Sequence, residues 1–167
     1  IDFDDYAVGS YAGSQDQAGT VTKEDQGATL HLVGNLWKKI DFAYDVTANT
    51  VLAFDFRSTR QGEIHAIGFD NDLSSQASRM FQLYGTQPYG VDDFNYAGAA
   101  PDWQRYEIPI GEYYTGPMNY LFFTNDHDVT SPAGESLFSN VPVYEMDWVD
   151  FDNYAGGSYA GPQDRAG

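Results

Sequence analysis

The chain has 167 residues and a formal charge of −17, from 8 Lys plus Arg against 25 Asp plus Glu. Such a field repels phosphate backbones and anionic lipid, which argues against nucleic-acid and membrane-surface partners, and no apolar run approaches the roughly 20 residues that cross a bilayer. With no cysteine, disulfides, CxxC redox sites and thiolate nucleophiles are excluded, while an aromatic content of 16% argues for a folded core.

In chain order the predicted elements are short. Ala28 to Val33 alternates and stops at Gly34-Asn35, and Trp37 to Phe42 follows, so the two runs are expected to form a hairpin. Thr50 to Arg57 sets Leu52, Phe54 and Phe56 on one face and Ala53, Asp55 and Arg57 on the other, the pattern of a half-buried strand. Glu63 to Phe69, Arg79 to Tyr84 and Trp103 to Ile110 are the next strands. Tyr120-Leu121-Phe122-Phe123 is apolar on both faces, as a central strand should be, and Ser136 to Tyr144 closes the set. No window shows a 3.6-residue period. About nine strands, with 17 Gly and 7 Pro, predict an all-β chain: a two-sheet antiparallel β-sandwich of jelly-roll type.

The two ends repeat one another. Residues 1–19 read IDFDDYAVGSYAGSQDQAG and residues 149–167 read VDFDNYAGGSYAGPQDRAG, identical at 14 of 19 positions without a gap. The expected organisation is a module over 1–145, a linker over 146–148, and the start of a second tandem copy over 149–167. Strand exchange through 149–167 is one way for that copy to bury its apolar side chains. The chain opens on Ile without a leader, which is read as a processed or excised piece of a larger protein.

Three groups of residues are candidates for chemistry. Asp2, Asp4, Glu24 and Asn140, with Asp5 and Asp25 nearby, lie toward chain ends that a jelly roll brings onto adjacent strands, and oxygen donors of this kind suit calcium. Asp70 and Asp72, with Asn71, follow one apolar strand; Asp126 and Asp128, with Asn125 and His127, follow another. If they converge they can accept hydrogen bonds from sugar hydroxyls, hold an ion, or act as a glycosidase pair. Trp37, Tyr84, Tyr89 and Trp103 lie near turns, where flat rings can stack on the C–H faces of sugars; Tyr96, Tyr113 and Tyr114 share that setting, and more than half of the seven are expected to be structural. His31, His65 and His127 are too far apart in sequence for a zinc motif, and no GxSxG, Walker A or GxGxxG occurs.

The segments Glu63–Asp72, Phe81–Gln87, Tyr120–Asp128 and Phe138–Glu145 together resemble the non-catalytic modules appended to secreted, often marine, bacterial polysaccharide-degrading enzymes. Phe3-Asp4 and Ser139-Asn140-Val141 resemble the ends of the galactose-binding-type jelly roll of carbohydrate-binding modules, in which such residues help hold a structural calcium. Asn140 stands where an aspartate is common in that arrangement, which lowers the ligand charge. The resemblance implies a secreted, non-enzymatic, calcium-stabilised module that binds a polysaccharide or oligosaccharide. The ligand contacts expected are Trp37, Tyr84, Tyr89, Trp103, Asp70, Asp72, Asp126 and Asp128. Two other readings fit the sequence: a structural calcium-binding repeat of an extracellular adhesin, and a small glycosidase or lyase, for which eight basic residues are thin provision.

Overall fold

The computed structural model describes residues 1–97 and 102–147. The expected linker residue Trp148 and the repeat segment 149–167 lie outside the described residues. Among the described residues eleven strands run in chain order: β1 (Gly9–Ser10), β2 (Gly19–Glu24), β3 (Thr29–Gly34), β4 (Leu36–Val46), β5 (Thr50–Arg57), β6 (Ile64–Asp70), β7 (Phe81–Tyr84), β8 (Gln104–Ile108), β9 (Gly116–Asp126), β10 (Glu135–Ser139) and β11 (Val143–Glu145). Helical structure among the described residues is confined to 3-10 turns of three residues.

The strands form two antiparallel sheets, the β-sandwich expected. One has the order β1-β4-β9-β6-β7; the other runs β2-β3-β10-β5, with β11 continuing along the β10 edge of β5 and β8 on its opposite edge. Between the pairs Ser139↔Asp55 and Val143↔Leu52, four steps on one strand meet three on the other. That one-residue bulge falls at Asn140, whose φ is 48°.

Period-2 alternation explains the core. Leu52, Phe54 and Phe56 of β5 face the other sheet and are wholly buried, as expected. They meet Leu30 and Leu32 of β3, Ile67 and Phe69 of β6, Leu121 and Phe123 of β9, and Phe138 of β10. Each fully buried Phe or Leu contributes about 1.5–3 kcal/mol relative to exposure.

The central strand β9 is apolar on both faces for a structural reason. Phe122 faces away from the core into a second cluster with Tyr11, Trp37, Ile64, Ala66 and Met80. The outer face of the five-stranded sheet is therefore roofed. Tyr11 lies flat on Phe122 with ring centroids 4.5 Å apart, and Met80 is wholly buried beside them. Gly68 leaves room for this roof, because a Cβ there would collide with the Arg79 carbonyl oxygen.

One expectation is corrected. β3 and β4 do not form a hairpin: β3 pairs with β2 and β10, whereas β4 pairs with β1 and β9 in the other sheet. Gly34 takes φ 120°, a conformation open mainly to glycine, and its neighbour Asn35 donates its N–H to the Ala18 carbonyl. The Gly-Asn step thus carries the chain between sheets instead of reversing it within one.

Candidate functional site

A cleft of about 350 Å³ opens beside β7. It forms because the segment after β7 folds back on the strand: Gln82 donates its N–H to the Val91 carbonyl, and Val91 donates its own to Met80. Gly85, with φ 139°, makes the exit turn, and a Cβ there would collide with the Glu63 carbonyl oxygen. The Gln82 side chain holds the loop closed, donating to the Gln87 carbonyl at 2.7 Å and accepting from the Tyr89 N–H at 2.7 Å. Tyr84 forms one wall, braced edge-on by Tyr96 at 5.5 Å and by the tilted ring of His65 at 5.3 Å. Apart from Leu83 and Pro88, the other side chains of the lining are amide and hydroxyl, Gln61, Gln82, Thr86, Gln87 and Asn95, with Asp92 as the one carboxylate and no cationic side chain among the described residues. Neutral donors and acceptors around a half-buried ring suit a neutral polyhydroxylated ligand.

The two carboxylate groups singled out in the sequence lie at opposite ends of the roofed sheet. β6 and β9 are antiparallel, with Ile64 opposite Asp126 and Asp70 opposite Tyr120. Asp70 and Asp126 are thus six residues apart along the pairing, on the order of 20 Å. Antiparallel pairing places residues that each follow their own strand at opposite edges, so Asp70 and Asp72 do not meet Asp126 and Asp128. Asp70 is wholly buried, accepting from Arg79 Nη1 at 2.8 Å and from the Tyr11 hydroxyl at 3.2 Å. Burial, then the Asp70 charge, raises the Tyr11 phenol. Asp72 is exposed and accepts from the Ser74 N–H, a local turn contact.

At the other end, Glu63, Asp126 and Asp128 bring one oxygen each to within 4.8 Å of one another. Trp37 Nε1 donates to Asp126 at 2.6 Å, and Asn35 Nδ2 donates to Asp128 at 2.6 Å. The Asp128 N–H donates to the Glu63 carboxylate, and His127 Nδ1 accepts from the N–H groups of Ala133 and Gly134, which fixes the loop. Burial raises the Asp126 carboxyl above its ordinary range and the charges of Asp128 and Glu63 add to the rise, while the Trp37 bond opposes it. Three oxygens of this kind can contribute to a hard cation's shell. None of the three lines the cleft.

The expected aromatics divide. Tyr84 lines the cleft, and Trp103 is 41% exposed with Arg57 4.9 Å above its ring. Trp37 is 2% exposed, packed in the second cluster, and half-buried Tyr89 meets it edge-on at 6.4 Å. Both therefore have their rings engaged beneath the roof.

The four expected calcium ligands also divide. A Cβ on Gly27 would collide with Asp2 Oδ1 and sit 3.0 Å from the Asp4 carboxyl carbon, so those two acids converge there. Glu24 instead meets His31 Nδ1 at 2.7 Å, and the Asn140 amide donates to Asp55 at 2.7 Å.

Gln61, Gln82, Thr86, Gln87, Asp92, Asn95 and Glu63 were absent from the sequence-derived set. Amides and single acids in loops carry no spacing signal, and only the fold-back of residues 85–96 assembles most of them.

No family model matches this sequence, and no curated protein matches it. Solved structures similar to it include a family 29 carbohydrate-binding module at 12% identity, over 89% of this chain and 86% of that one, with TM-score 0.46. Another is a family 61 module, TmCBM61, in complex with β-1,4-galactotriose, at 10% identity over 87% and 91%, TM-score 0.47. A third is the family 11 module of the cellulosomal cellulase Lic26A-Cel5E of Clostridium thermocellum, at 11% identity over 83% and 88%, TM-score 0.46.

Proposed function

We propose that the protein is a non-catalytic polysaccharide-binding module that grips a neutral glycan in the cleft beside β7. One observation carries this reading: a half-buried tyrosine wall among five amide or hydroxyl side chains, with a single carboxylate and no cation among the described residues. Tyr84 would stack on a sugar ring, and Gln61, Gln87, Asn95 and Asp92 would take its hydroxyls. A lone carboxylate in the cleft supplies no acid–base pair, which supports binding over hydrolysis. The remaining expected contacts divide accordingly: Trp103 is a second stacking surface outside the cleft, and Asp126 and Asp128 belong to the ion-holding group.

As such a module the protein would work outside the cell beside a glycan-degrading enzyme, with residues 149–167 opening a second copy. Calcium would bind at Glu63, Asp126 and Asp128, with Asp2 and Asp4 beside Gly27 as a further pair of acids. The adhesin reading is favoured by one fact, that the acidic triad lies outside the cleft. It expects calcium to raise the melting temperature and every glycan to leave it unchanged.

Isothermal titration against neutral and acidic polysaccharides tests the proposal. Binding to a neutral glycan is expected, weakened roughly tenfold or more by Tyr84→Ala and little changed by Trp37→Phe. Silence across the panel, or binding indifferent to Tyr84→Ala, overturns it.

A further inference from the structure

Residues 1–19 lie in a groove that begins at the β2–β3 and β10–β11 turns of the six-stranded sheet and continues along β4 of the five-stranded sheet, held by a few side chains. Phe3 is wholly buried, with its ring 5.5 Å from Phe123. Gly9 and Ser10 pair with Lys39 and Lys38 of β4. Tyr11 stacks on Phe122. Asp16 accepts from the Trp37 N–H at 3.2 Å and from Lys38 Nζ at 2.6 Å. Each of these residues recurs unchanged 148 positions later, as Phe151, Gly157, Ser158, Tyr159 and Asp164.

The five differences fall where the groove grips least. Ile1 and Val8 are half-buried, and Asp5, Ser14 and Gln17 are exposed; their counterparts are Val149, Gly156, Asn153, Pro162 and Arg165. Ser14 sits in a 3-10 turn, whose φ is close to the value proline fixes. Gln17 is the informative one. Its Nε2 donates to Asp128 Oδ1 at 3.4 Å, beside Glu63 and Asp126. Among the described residues no lysine or arginine pairs with those three acids. An arginine at that place would supply the missing cation, with a fork suited to carboxylates.

We infer that this groove is a docking site for residues 149–167 of a second copy of the chain, with Arg165 in the place of Gln17 against Glu63, Asp126 and Asp128. A second copy is favoured over the same chain by reach. The Ile1 ammonium donates to the Val141 carbonyl, so residue 149 would have to lie beside Val141. From there the chain runs along β5 as β11, ending at Glu145 opposite Thr50, roughly 12 Å away. The four steps from Glu145 to residue 149 span at most about 14 Å fully extended, which leaves almost no chain for the reversal. The exchange keeps 14 of 19 side chains and gives up apolar contact at Ile1 and Val8, so the ion pairs added by Arg165 have to outweigh that loss.

A disulfide trap tests this, since the chain has no cysteine. Lys38→Cys with Ser158→Cys in the full chain is oxidised in EDTA, which keeps cations off the acids. Lys38→Cys with Ser10→Cys reports the native pairing and should link within one chain; directly opposed strand residues lie at disulfide range. The expected result is linked dimers from the first variant, above the level given by Ser158→Cys alone. Tyr159→Ala should abolish the excess. Arg165→Gln should lower it about three- to fivefold at low salt and by less at about 0.5 M. Linked monomers only, no link where the Ser10 pair closes, or a yield indifferent to Tyr159→Ala would overturn the inference. None of these outcomes depends on glycan binding.

Discussion

At one end of β6 and β9, Asp70 is buried against Arg79 and the Tyr11 hydroxyl; at the other, Asp126 is buried against one indole N–H, with half-buried Glu63 and exposed Asp128 beside it. The strands are the same and the residue type is the same. The first end has its counter-charge built in and serves to pin the roof over the sheet. The second lacks a counter-charge and leaves a site that something positive can complete. Burial alone does not make an acid functional; what else is buried with it decides.

The largest expected effect tests the first end. Asp70→Ala leaves the poorly solvated Arg79 guanidinium with the neutral Asn71 side-chain oxygen and no counter-charge, and should cost about 3–5 kcal/mol, read from urea unfolding. A loss below about 1 kcal/mol would break the contrast. The next effect is one of pH. His65 lies in the core opposite Asn125, accepts the Gly62 N–H at 2.6 Å, and meets Ser136 at 2.7 Å. Burial first, then the His127 charge, lowers its pKa to about 3. The unfolded chain, with an ordinary value of 6.5, then binds more protons than the folded one between those limits. Stability should fall as pH drops below about 6.5, approaching 1.4 kcal/mol per unit, and level off near 3. A flat stability profile between pH 6.5 and 4 would refute that assignment.

Smaller effects sharpen the second end. Gln17→Arg puts the side chain of the C-terminal repeat beside the acids and should stabilise by about 0.5–1 kcal/mol at low salt, fading as salt rises. Asp126→Asn keeps an acceptor for Trp37 and removes like-charge repulsion. At pH 7 it should lie within about 0.5 kcal/mol of the parent, in contrast to Asp70→Ala. The Asp126 carboxyl is raised in the folded state, so the folded chain binds more protons than the unfolded just above the ordinary carboxylate range. Its charge therefore lowers stability as pH rises through that window, and Asp126→Asn should remove that slope. A calcium-dependent rise in melting temperature that vanishes in Asp126→Asn would identify the ion's place.

The sandwich was legible in the sequence because alternation is local. Leu52, Phe54 and Phe56 marked the inner face of β5 unaided, and Tyr120–Phe123 marked a strand covered on both sides. β2 was missed because Gly19-Thr-Val-Thr-Lys-Glu24 lies at an exposed edge where burial writes no pattern. The β3–β4 step was misread because a glycine at positive φ serves a hairpin and a change of sheet equally well. The acids were individually visible, but their partners were not. Whether Asp70 meets Asp126 or Arg79 depends on strand direction, and Glu63 reaches Asp126 only through the β6–β9 pairing. Tyr84 was found by its position beside Gly85; the amides around it needed the loop to close.

The roof laid by Tyr11 and Met80 has a consequence for any polymer the protein holds. If the cleft beside β7 is where a glycan binds, as proposed, the strand passes beside the roofed part of the five-stranded sheet and not across it. A grip from the side leaves the strand running free in both directions, and successive molecules can then sit along one fibre like clips on a line.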